Sequence, residues 1–314
     1  MKVFLKDKGE VLLPDFFIVG AAKSGTTSLH SYLNEHPEVF MPPRKETWFF
    51  SFVDNPPRFV SPNYLGGTIT RIEDYVEYYS KASSNQILGD ASPSYLYTHD
   101  TSIRSMKRIY ENDEAWRRLR FIILLRNPVE RAWSQYWMFK RKSQEPLEFE
   151  DAIRPEVIEE RIRSNWNFFY DYIGFGRYNN QVKAYLDSFG AENVKVILFD
   201  ELKGRTLGVC RDVFRFLGVG ESVQPHIEQV YNMSGKPKSE LFARLLLSRN
   251  ILKRMLSRII SRERRNKILR FFGRHFLERV EMSAQTRRKL IEIYSDDVVR
   301  LQDLIQKDLS AWLD

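Results

Sequence analysis

Binding of an anion is the first chemistry that this sequence indicates, because glycines, a lysine and hydroxyl side chains are concentrated between positions 20 and 28. These residues are Gly20, Lys23, Ser24, Gly25, Thr26, Thr27 and Ser28. Glycine permits a tight turn and a close approach of the backbone to a ligand. The run Phe16–Gly20 predicts a strand and Thr26–Asn34 a helix, so the free amides and the dipole of the helix would face the anion. The alternative is a helix that merely follows a strand.

The spacing within this loop differs from that of an ATP-binding loop. The ATP-binding pattern G-x-x-x-x-G-K-[ST] places lysine directly after the second glycine. Gly20 and Gly25 have the required separation, but Thr26 stands in the lysine position and the lysine is Lys23. A P-loop kinase or phosphotransferase remains an alternative, disfavoured by the displaced lysine and by the lack of an evident magnesium-binding motif.

A second anion-binding segment lies between positions 121 and 134. The apolar run Phe121–Arg126 predicts a strand that ends in an arginine, and Ser134 follows on a predicted helix. An arginine at the carboxyl end of a parallel strand faces the crevice where such sheets bind ligands. Its planar guanidinium group suits a phosphate monoester. A structural salt bridge for Arg126 and a surface position for Ser134 are the alternatives.

Together the two segments resemble the nucleotide-binding motifs of sulfotransferases that use 3′-phosphoadenosine 5′-phosphosulfate (PAPS). The resemblance implies that Lys23 and the loop residues from Ser24 to Ser28 hold the 5′-phosphosulfate. The second segment matches the family pattern R-[DN]-P-x-x-R-x-x-S, which implies that Arg126 and Ser134 hold the 3′-phosphate. It further implies sulfonate transfer to a hydroxyl or amine of an acceptor, with 3′,5′-adenosine bisphosphate (PAP) as product and no metal.

The segment Pro42–Phe50 resembles the K-E-x-x-F-F block of heparan sulfate sulfotransferases and related bacterial enzymes. The resemblance implies that Glu46 is the catalytic base. Lys45 would contact the bridging oxygen or keep the carboxylate ionised. We expect three aromatic side chains to line the pocket: Trp48, Phe49 and Phe50. A solvated surface carboxylate is the alternative interpretation of Glu46.

The segment Gly89–Tyr97 resembles the E-K-S-P-x-Y stretch of the same enzymes, with two departures. Asp90 replaces the glutamate and Ala91 replaces the lysine, so heparan specificity is not carried over. We expect Asp90 to orient Lys23 or His99, or to bind the acceptor. His99 is a second candidate base, because cytosolic sulfotransferases use histidine; a structural histidine is the alternative.

Two further cofactor contacts follow from looser matches to the family. Gly174–Gln181 resembles the R-G-x-Y block, which implies that Tyr178 contacts the nucleotide, with core packing as the equal alternative. The segment around Lys236 resembles the loop that closes over the 3′-phosphate. The resemblance covers roughly residues 15–235 and the last thirty.

The positive charge of the chain is concentrated in one segment. The net charge is +8, yet residues 236–274 alone carry 13 Lys or Arg and 2 Asp or Glu. Leucine, isoleucine and methionine recur there at helical spacing, which predicts a basic amphipathic helix. It would contact a membrane surface, an acidic substrate or an acidic carrier, or else pack on the domain with its basic face solvated. A non-enzymatic protein that binds anionic surfaces is the corresponding alternative function; no nucleic-acid-binding signature accompanies the charge.

Alternating apolar runs and helical patterns predict an α/β fold, with a parallel central sheet flanked by helices. The clearest strands are Phe16–Gly20, Ile87–Ala91, Phe121–Arg126 and Val194–Phe199. Helices are predicted at Thr26–Asn34, Asp74–Ser80, Thr101–Asn112, Val129–Lys142, Tyr178–Ser188, Leu207–Leu217 and Ala284–Leu309. The resemblance implies the P-loop NTPase-like sulfotransferase fold as a single domain over residues 1–314, with an insertion at about 236–274.

Location and acceptor are predicted more coarsely. A single cysteine, Cys210, gives no sign of an oxidising compartment, and no apolar stretch of signal-peptide or membrane-spanning length is present. We therefore expect a cytoplasmic protein, with peripheral attachment to a membrane as an alternative. The acceptor class is a carbohydrate, lipid or other small alcohol.

Overall fold

A five-stranded parallel sheet forms the centre of the computed structural model, which describes residues 1–5, 9–62, 67–110, 114–227, 236–237, 277–278 and 280–314. The strands are β1 (Lys2–Leu5), β2 (Gly9–Leu12), β3 (Phe16–Gly20), β4 (Val39–Phe40), β5 (Ile87–Ala91), β6 (Arg120–Leu125), β7 (Val194–Leu198), β8 (Lys236–Pro237) and β9 (Leu277–Glu278). The central sheet has the order β4-β5-β3-β6-β7, and each neighbouring pair is parallel. The other strands form two antiparallel pairs, β1 with β2 and β8 with β9.

Helices cover both faces of this sheet. They are α1 (Thr26–Asn34), α2 (Phe49–Phe52), α3 (Ile72–Glu77), α4 (His99–Tyr110), α5 (Pro128–Lys140), α6 (Phe149–Ala152), α7 (Pro155–Arg163), α8 (Tyr178–Phe189), α9 (Phe199–Gly204), α10 (Thr206–Leu217) and α11 (Ala284–Ile305). Short 3₁₀ helices occur at Glu114–Arg118, Phe168–Tyr170, Gly174–Gly176, Ala191–Asn193 and Ser310–Trp312.

The central strands are apolar throughout because both of their faces are buried. Successive side chains of a strand point to opposite faces. In β3, Phe17 and Val19 belong to the larger core cluster, whereas Phe16 and Ile18 belong to the cluster on the other face. The structure therefore confirms the predicted parallel α/β sheet flanked by helices.

The topology places the candidate site at the carboxyl edge of the sheet. From β3 the chain passes to β4 on one side, and from β6 it passes to β7 on the other side. The connections therefore diverge between β3 and β6, which is the position where open parallel sheets bind ligands. The loop after β3 and the residue after β6, Arg126, meet at this point.

The predicted basic helix lies outside the described residues, apart from the backbone of Lys236 and Pro237 in β8. Of the helices that the structure describes, none has the length and apolar character that crossing a bilayer requires.

Candidate functional site

The loop between β3 and α1 has the backbone of an anion-binding turn. Lys23 has φ of 71°, and Gly25, which precedes the first residue of α1, has φ of 92°. A Cβ atom at Gly25 would lie 3.0 Å from the side chain of Leu202 and 3.1 Å from that of Phe199. Glycine is therefore favoured at this position both by conformation and by the close approach of the chain after β7.

The first amides of α1 are available for a ligand. The N–H groups of Ser28 and Leu29 donate to the Gly25 carbonyl at 3.0 and 3.1 Å. The N–H groups of Thr26 and Thr27 donate to no acceptor in the part of the chain that the structure describes. These two donors, at the positive end of the helix dipole, fit a phosphate or sulfonate oxygen.

Lys23 supplies a half-buried cation beside this loop. Its Nζ lies 3.8 Å from Sδ of Met138, a weak acceptor. Burial, followed by the charges of Arg141 and Arg126, lowers the pKa of Lys23 to about 8, whereas Glu46 opposes the shift. An anion in the loop would relieve this unfavourable environment by neutralising the charge.

Arg126 joins the second motif to the first. Its Nη1 donates to the Lys23 carbonyl at 3.3 Å, and its guanidinium group lies 5.1 Å from the ring centre of Phe199. Burial lowers the pKa of Arg126, and the carboxylate of Glu130 is 3.7 Å away. Ser134 stands two turns along α5, is buried and lines the same cavity.

A carboxylate reaches the loop from the segment after β4. Glu46 has φ of 64°, and its side chain is 39% exposed. Lys45 Nζ lies 3.0 Å from Glu46 Oε1 and 3.3 Å from Thr27 Oγ1. The ion pair therefore rests against the first turn of α1, with the Glu46 carboxylate partly accessible.

One cavity of about 560 Å³ unites these groups. Its lining includes Lys23, Gly25, Thr26, Thr27, Ser28, Glu46, Trp48, Arg126 and Ser134. The predicted loop, the predicted arginine–serine pair and the predicted carboxylate thus share one space. Its size is typical of small-molecule sites.

Several predicted residues lie outside the lining of this cavity. His99 begins α4, where its Nδ1 is 3.3 Å from the Tyr97 carbonyl and its Nε2 is 3.6 Å from Asp100. Ser24 and Tyr178 are fully buried, and the Tyr178 hydroxyl donates to the Arg126 carbonyl at 3.0 Å. This hydrogen bond thus helps to fix the backbone at Arg126.

The expectation for Phe49 and Phe50 is wrong. Both are completely buried in the core, where they contact each other and the ring of Tyr75. Trp48, with φ of 54°, instead turns toward the cavity and lines it. The left-handed backbone at Trp48 separates the accessible part of this segment from the buried part.

The side chain of Lys236 lies outside the described residues.

The expectation that Asp90 orients Lys23 or His99, or binds the acceptor, is also wrong. Asp90 is fully buried and accepts hydrogen bonds from four hydroxyl groups. The donors are Thr47 at 2.9 Å, Tyr75 at 2.8 Å, Ser92 at 2.9 Å and Tyr95 at 2.9 Å. Burial raises the pKa of Asp90, and the four hydrogen bonds oppose that shift.

The Asp90 hydroxyl cluster, formed by Asp90, Thr47, Tyr75, Ser92 and Tyr95, anchors the segment that carries Glu46. Thr47 lies between Glu46 and Trp48, and the Glu46 amide donates to the Ala91 carbonyl at 3.0 Å. The end of β5 therefore fixes the backbone of the candidate base.

Other residues of the cavity were not predicted. Gln135, Met138, Phe139 and Lys142 line it from α5 and the turn that follows, and Phe199, Leu202, Lys203 and Thr206 line it from α9 and α10. Part of this set has a recognisable signal, because Met138 and Lys142 follow Ser134 at intervals of four residues. The cavity residues after β7 have no sequence signal other than their position at the end of a strand.

Comparison with known proteins agrees with this geometry. A family model described as "Sulfotransferase family" matches residues 14–222. The chain is 33% identical over 168 residues to the membrane-associated sulfotransferase kil1 of Dictyostelium discoideum, covering 50% of this chain and 32% of that protein. It is 28% identical to heparan sulfate glucosamine 3-O-sulfotransferase 5 of Mus musculus, covering 70% of this chain and 56% of that protein. The chain thus spans between one third and somewhat over half of these curated relatives.

Solved structures show the same fold. A sulfotransferase from Alicyclobacillus acidocaldarius has a TM-score of 0.74 and 33% identity, covering 97% of this chain and 100% of that one. The sulfotransferase domain from the curacin biosynthetic pathway, at 15% identity and a TM-score of 0.50, is similar in fold alone. The predicted P-loop NTPase-like sulfotransferase fold is confirmed. Because the family model matches more than half of its length, this chain belongs to the sulfotransferase family.

Proposed function

We propose that this chain transfers a sulfonate group from PAPS to a hydroxyl or amine of an acceptor and releases PAP. One observation carries the proposal: Lys23 with the free amides of α1, and Arg126 with Ser134, line a single cavity. PAPS has anionic groups on both its 5′ and 3′ oxygens, so it needs two such anion-binding positions. The kinase alternative has no comparable use for Arg126 and Ser134.

The loop residues would hold the 5′-phosphosulfate. Thr26 and Thr27 would donate their backbone amides, and Ser28 and Thr27 their hydroxyls. Lys23 would add a full charge, while the buried Ser24 and the left-handed Gly25 shape the turn.

The 3′-phosphate would bind at the carboxyl end of β6. Arg126 offers a planar pair of donors, and Ser134 offers a hydroxyl from α5. Tyr178 would act on this position indirectly, through its hydrogen bond to the Arg126 carbonyl. A contact from Lys236 remains a prediction.

Glu46 is the proposed base, because it lines the cavity and His99 does not. When bound, PAPS supplies the activated sulfonate. Glu46 would remove the proton from the acceptor group, while Lys45, whose Nζ lies 3.0 Å from Glu46 Oε1, would hold the carboxylate in position. Lys23 would stabilise negative charge that develops beside the loop. No step here requires a metal ion.

For the acceptor we propose a glycan, a lipid or another small alcohol. The name of the mouse relative specifies heparan sulfate glucosamine, and that of the Dictyostelium relative specifies membrane association. A cytoplasmic location, a single domain over residues 1–314, and contact of residues 236–274 with a membrane or an acidic carrier remain predictions from the sequence. Nucleic acid is not among the proposed partners.

Thermal unfolding with added nucleotide tests the proposal. PAP at about 100 times its Kd should add about 2.7 kcal/mol to the free energy of unfolding, which raises Tm clearly. We expect this shift with PAP in wild type, and its loss in Arg126→Ala. Arg108→Ala is the matched control, because Arg108 pairs with Asp54 at an exposed position. Stabilisation by ATP–magnesium alone would indicate a kinase, and a response to neither nucleotide would favour the anionic-surface binding protein.

A further inference from the structure

The cavity contains a cation that the proposed binding of PAPS does not use. Lys142 lines the cavity, yet its side chain is exposed and makes no hydrogen bond or ion pair with any residue that the structure describes. We propose that Lys142 is a specificity-determining residue, which binds an anionic group (carboxylate, sulfate ester or phosphate) on the acceptor. This inference rests on the proposed function, since it assumes that PAPS occupies the loop and Arg126.

The position of Lys142 in the turn after α5 separates it from the proposed 3′-phosphate site. Ser134, Met138 and Lys142 follow one another at intervals of four residues and all line the cavity. The Lys142 amide donates to the Phe139 carbonyl at 3.0 Å, so the helical path continues for two residues beyond Lys140. Each interval advances about 6 Å along a helix. Lys142 thus lies two helical steps beyond Ser134.

Met138 relates this row of residues to the loop after β3. Its Sδ lies 3.8 Å from Nζ of Lys23, so the middle member of the row is level with the proposed 5′-phosphosulfate site. Lys142 comes after that level, away from the Arg126 and Ser134 end. The charge of Lys142 also contributes to the lowered pKa of Lys23, as expected for neighbouring cations. Lys142 therefore lies past the level of Lys23 along this row, on the side opposite to Ser134.

The cavity that Lys142 lines also contains the aromatic groups expected around an acceptor. Trp48, two residues after Glu46, and Phe169 both line it, with ring centres 6.4 Å apart. The Phe169 carbonyl accepts a hydrogen bond from the Gln135 side chain of α5. The wall is thus continuous from the proposed base to the helix that leads to Lys142.

The electrostatics of the cavity favour an acceptor with negative charge. Among the described residues that line it, Glu46 alone is a carboxylate, and it is already paired with Lys45. Within the described part of the chain Lys142 has no such partner, so an acceptor anion would meet an unpaired cation close to Lys23. A neutral acceptor would bring no counter-charge to Lys142.

Binding of two matched glycosides to the PAP-loaded protein tests this inference. The probes are 4-nitrophenyl β-D-glucuronide and 4-nitrophenyl β-D-glucoside, which differ by a carboxylate in place of a hydroxymethyl group. Affinities are measured by NMR titration, and sulfation is measured with labelled PAPS. In wild type we expect the glucuronide to bind about fivefold more tightly than the glucoside. Lys142→Met should abolish this difference through the KM of the acceptor, without changing the Tm shift caused by PAP.

Lys81→Met is the matched control, because Lys81 is an exposed lysine outside the cavity lining. It should retain the preference for the glucuronide. Equal affinity of wild type for the two glycosides, including no measurable binding of either, would overturn the assignment. A smaller PAP-induced Tm shift in Lys142→Met would overturn it in another way, by making Lys142 a cofactor contact. Failure of wild type to be stabilised by PAP would instead overturn the proposed function on which this assignment depends.

Discussion

At the scale of single residues, Lys23 carries the most chemical information. It is a half-buried ammonium group whose surroundings disfavour its charge, and the loop amides beside it lack acceptors among the described residues. Such a group is adapted to a ligand that brings negative charge. The two motifs that contain Lys23 and Arg126 could be predicted from sequence, because residue type and spacing alone define them.

Removing the Lys23 charge should weaken nucleotide binding without harming the fold. We expect Lys23→Met to lower the affinity for PAP about 10- to 100-fold, the usual effect of a charged hydrogen bond. The Tm without ligand should stay the same or rise, because a poorly solvated cation is lost. Calorimetric titration and thermal unfolding measure the two effects, with Lys81→Met as control. Unchanged PAP affinity would remove Lys23 from the site.

The lowered pKa of Lys23 predicts a pH dependence of PAP binding. In the free protein Lys23 loses its proton near pH 8, whereas the bound phosphate raises its pKa. Affinity attributable to Lys23 should therefore be constant below about pH 8 and fall above it, with proton uptake on binding. Calorimetry in buffers of different ionisation enthalpy measures that uptake. Persistence of the same pH profile in Lys23→Met would assign it to another group.

Residues whose role depends on tertiary contacts could not be predicted. Aspartate and phenylalanine occur both in binding sites and in protein cores, so residue type does not show which role Asp90, Phe49 and Phe50 have. Their packing in the folded chain decides between the two roles. Asp90 is surrounded by hydroxyl groups from three different segments, so no local spacing identifies it as structural. Lys142 and Met138 were missed although their spacing from Ser134 was visible.

At the scale of elements, the strands of the central sheet and the longer helices could be predicted well. The structure has α1 at the predicted Thr26–Asn34 and places β3 and β5 at their predicted bounds. Continuous apolar runs and helical spacing are strong local signals. The β1–β2 hairpin, the two-residue β4 and the short α2, α6 and α9 were not predicted, because their short spans contain too few residues to show a period. The nine-residue α7 was not predicted either, because Arg161 is its one buried residue and it therefore has no apolar face.

The Asp90 hydroxyl cluster should determine the stability of the segment that carries Glu46. Asp90→Ala would leave four buried hydroxyl donors without their acceptor, each costing about 1–3 kcal/mol if unsatisfied. We expect a loss of at least about 3 kcal/mol in the free energy of unfolding, measured in urea. Thr47→Val, which removes one donor at similar volume, should cost about 1–2 kcal/mol.

Tyr79→Phe serves as the control for that series. With the described residues, the Tyr79 hydroxyl makes long hydrogen bonds, at 3.3 Å to Tyr75 and 3.4 Å to the Gly89 carbonyl, and it has no hydrogen bond to Asp90. Tyr79→Phe should therefore lower the free energy of unfolding by less than Thr47→Val does. Equal losses in the two variants would mean that the bond to Asp90 has no special importance.

At the scale of the whole molecule, the C-terminal helix is connected to the nucleotide site. The Asp297 carboxylate of α11 accepts from the amides of Tyr178 and Asn179 at the start of α8. The Tyr178 hydroxyl in turn donates to the Arg126 carbonyl. Residues more than a hundred positions apart thereby fix the end of β6, a relation that no local motif could reveal.

Loss of the Asp297 cap should destabilise the molecule. We expect Asp297→Ala to lower the free energy of unfolding by about 0.5–2 kcal/mol, the usual cost of losing a helix cap. Asp296→Ala, at an exposed position one residue earlier in α11, should have little effect. Denaturant unfolding of the two variants measures the difference, and equal stability of both would contradict the proposed connection.

The most direct test of the central claim compares PAP with adenosine 5′-monophosphate, which lacks the 3′-phosphate, by calorimetric titration of wild type and Arg126→Ala. If one cavity binds both phosphate positions, wild type should bind PAP at least about tenfold more tightly than the monophosphate. Arg126→Ala should lose most of that preference while its affinity for the monophosphate changes little. Equal affinity of wild type for the two nucleotides would contradict the claim that Arg126 and Ser134 form the 3′-phosphate site.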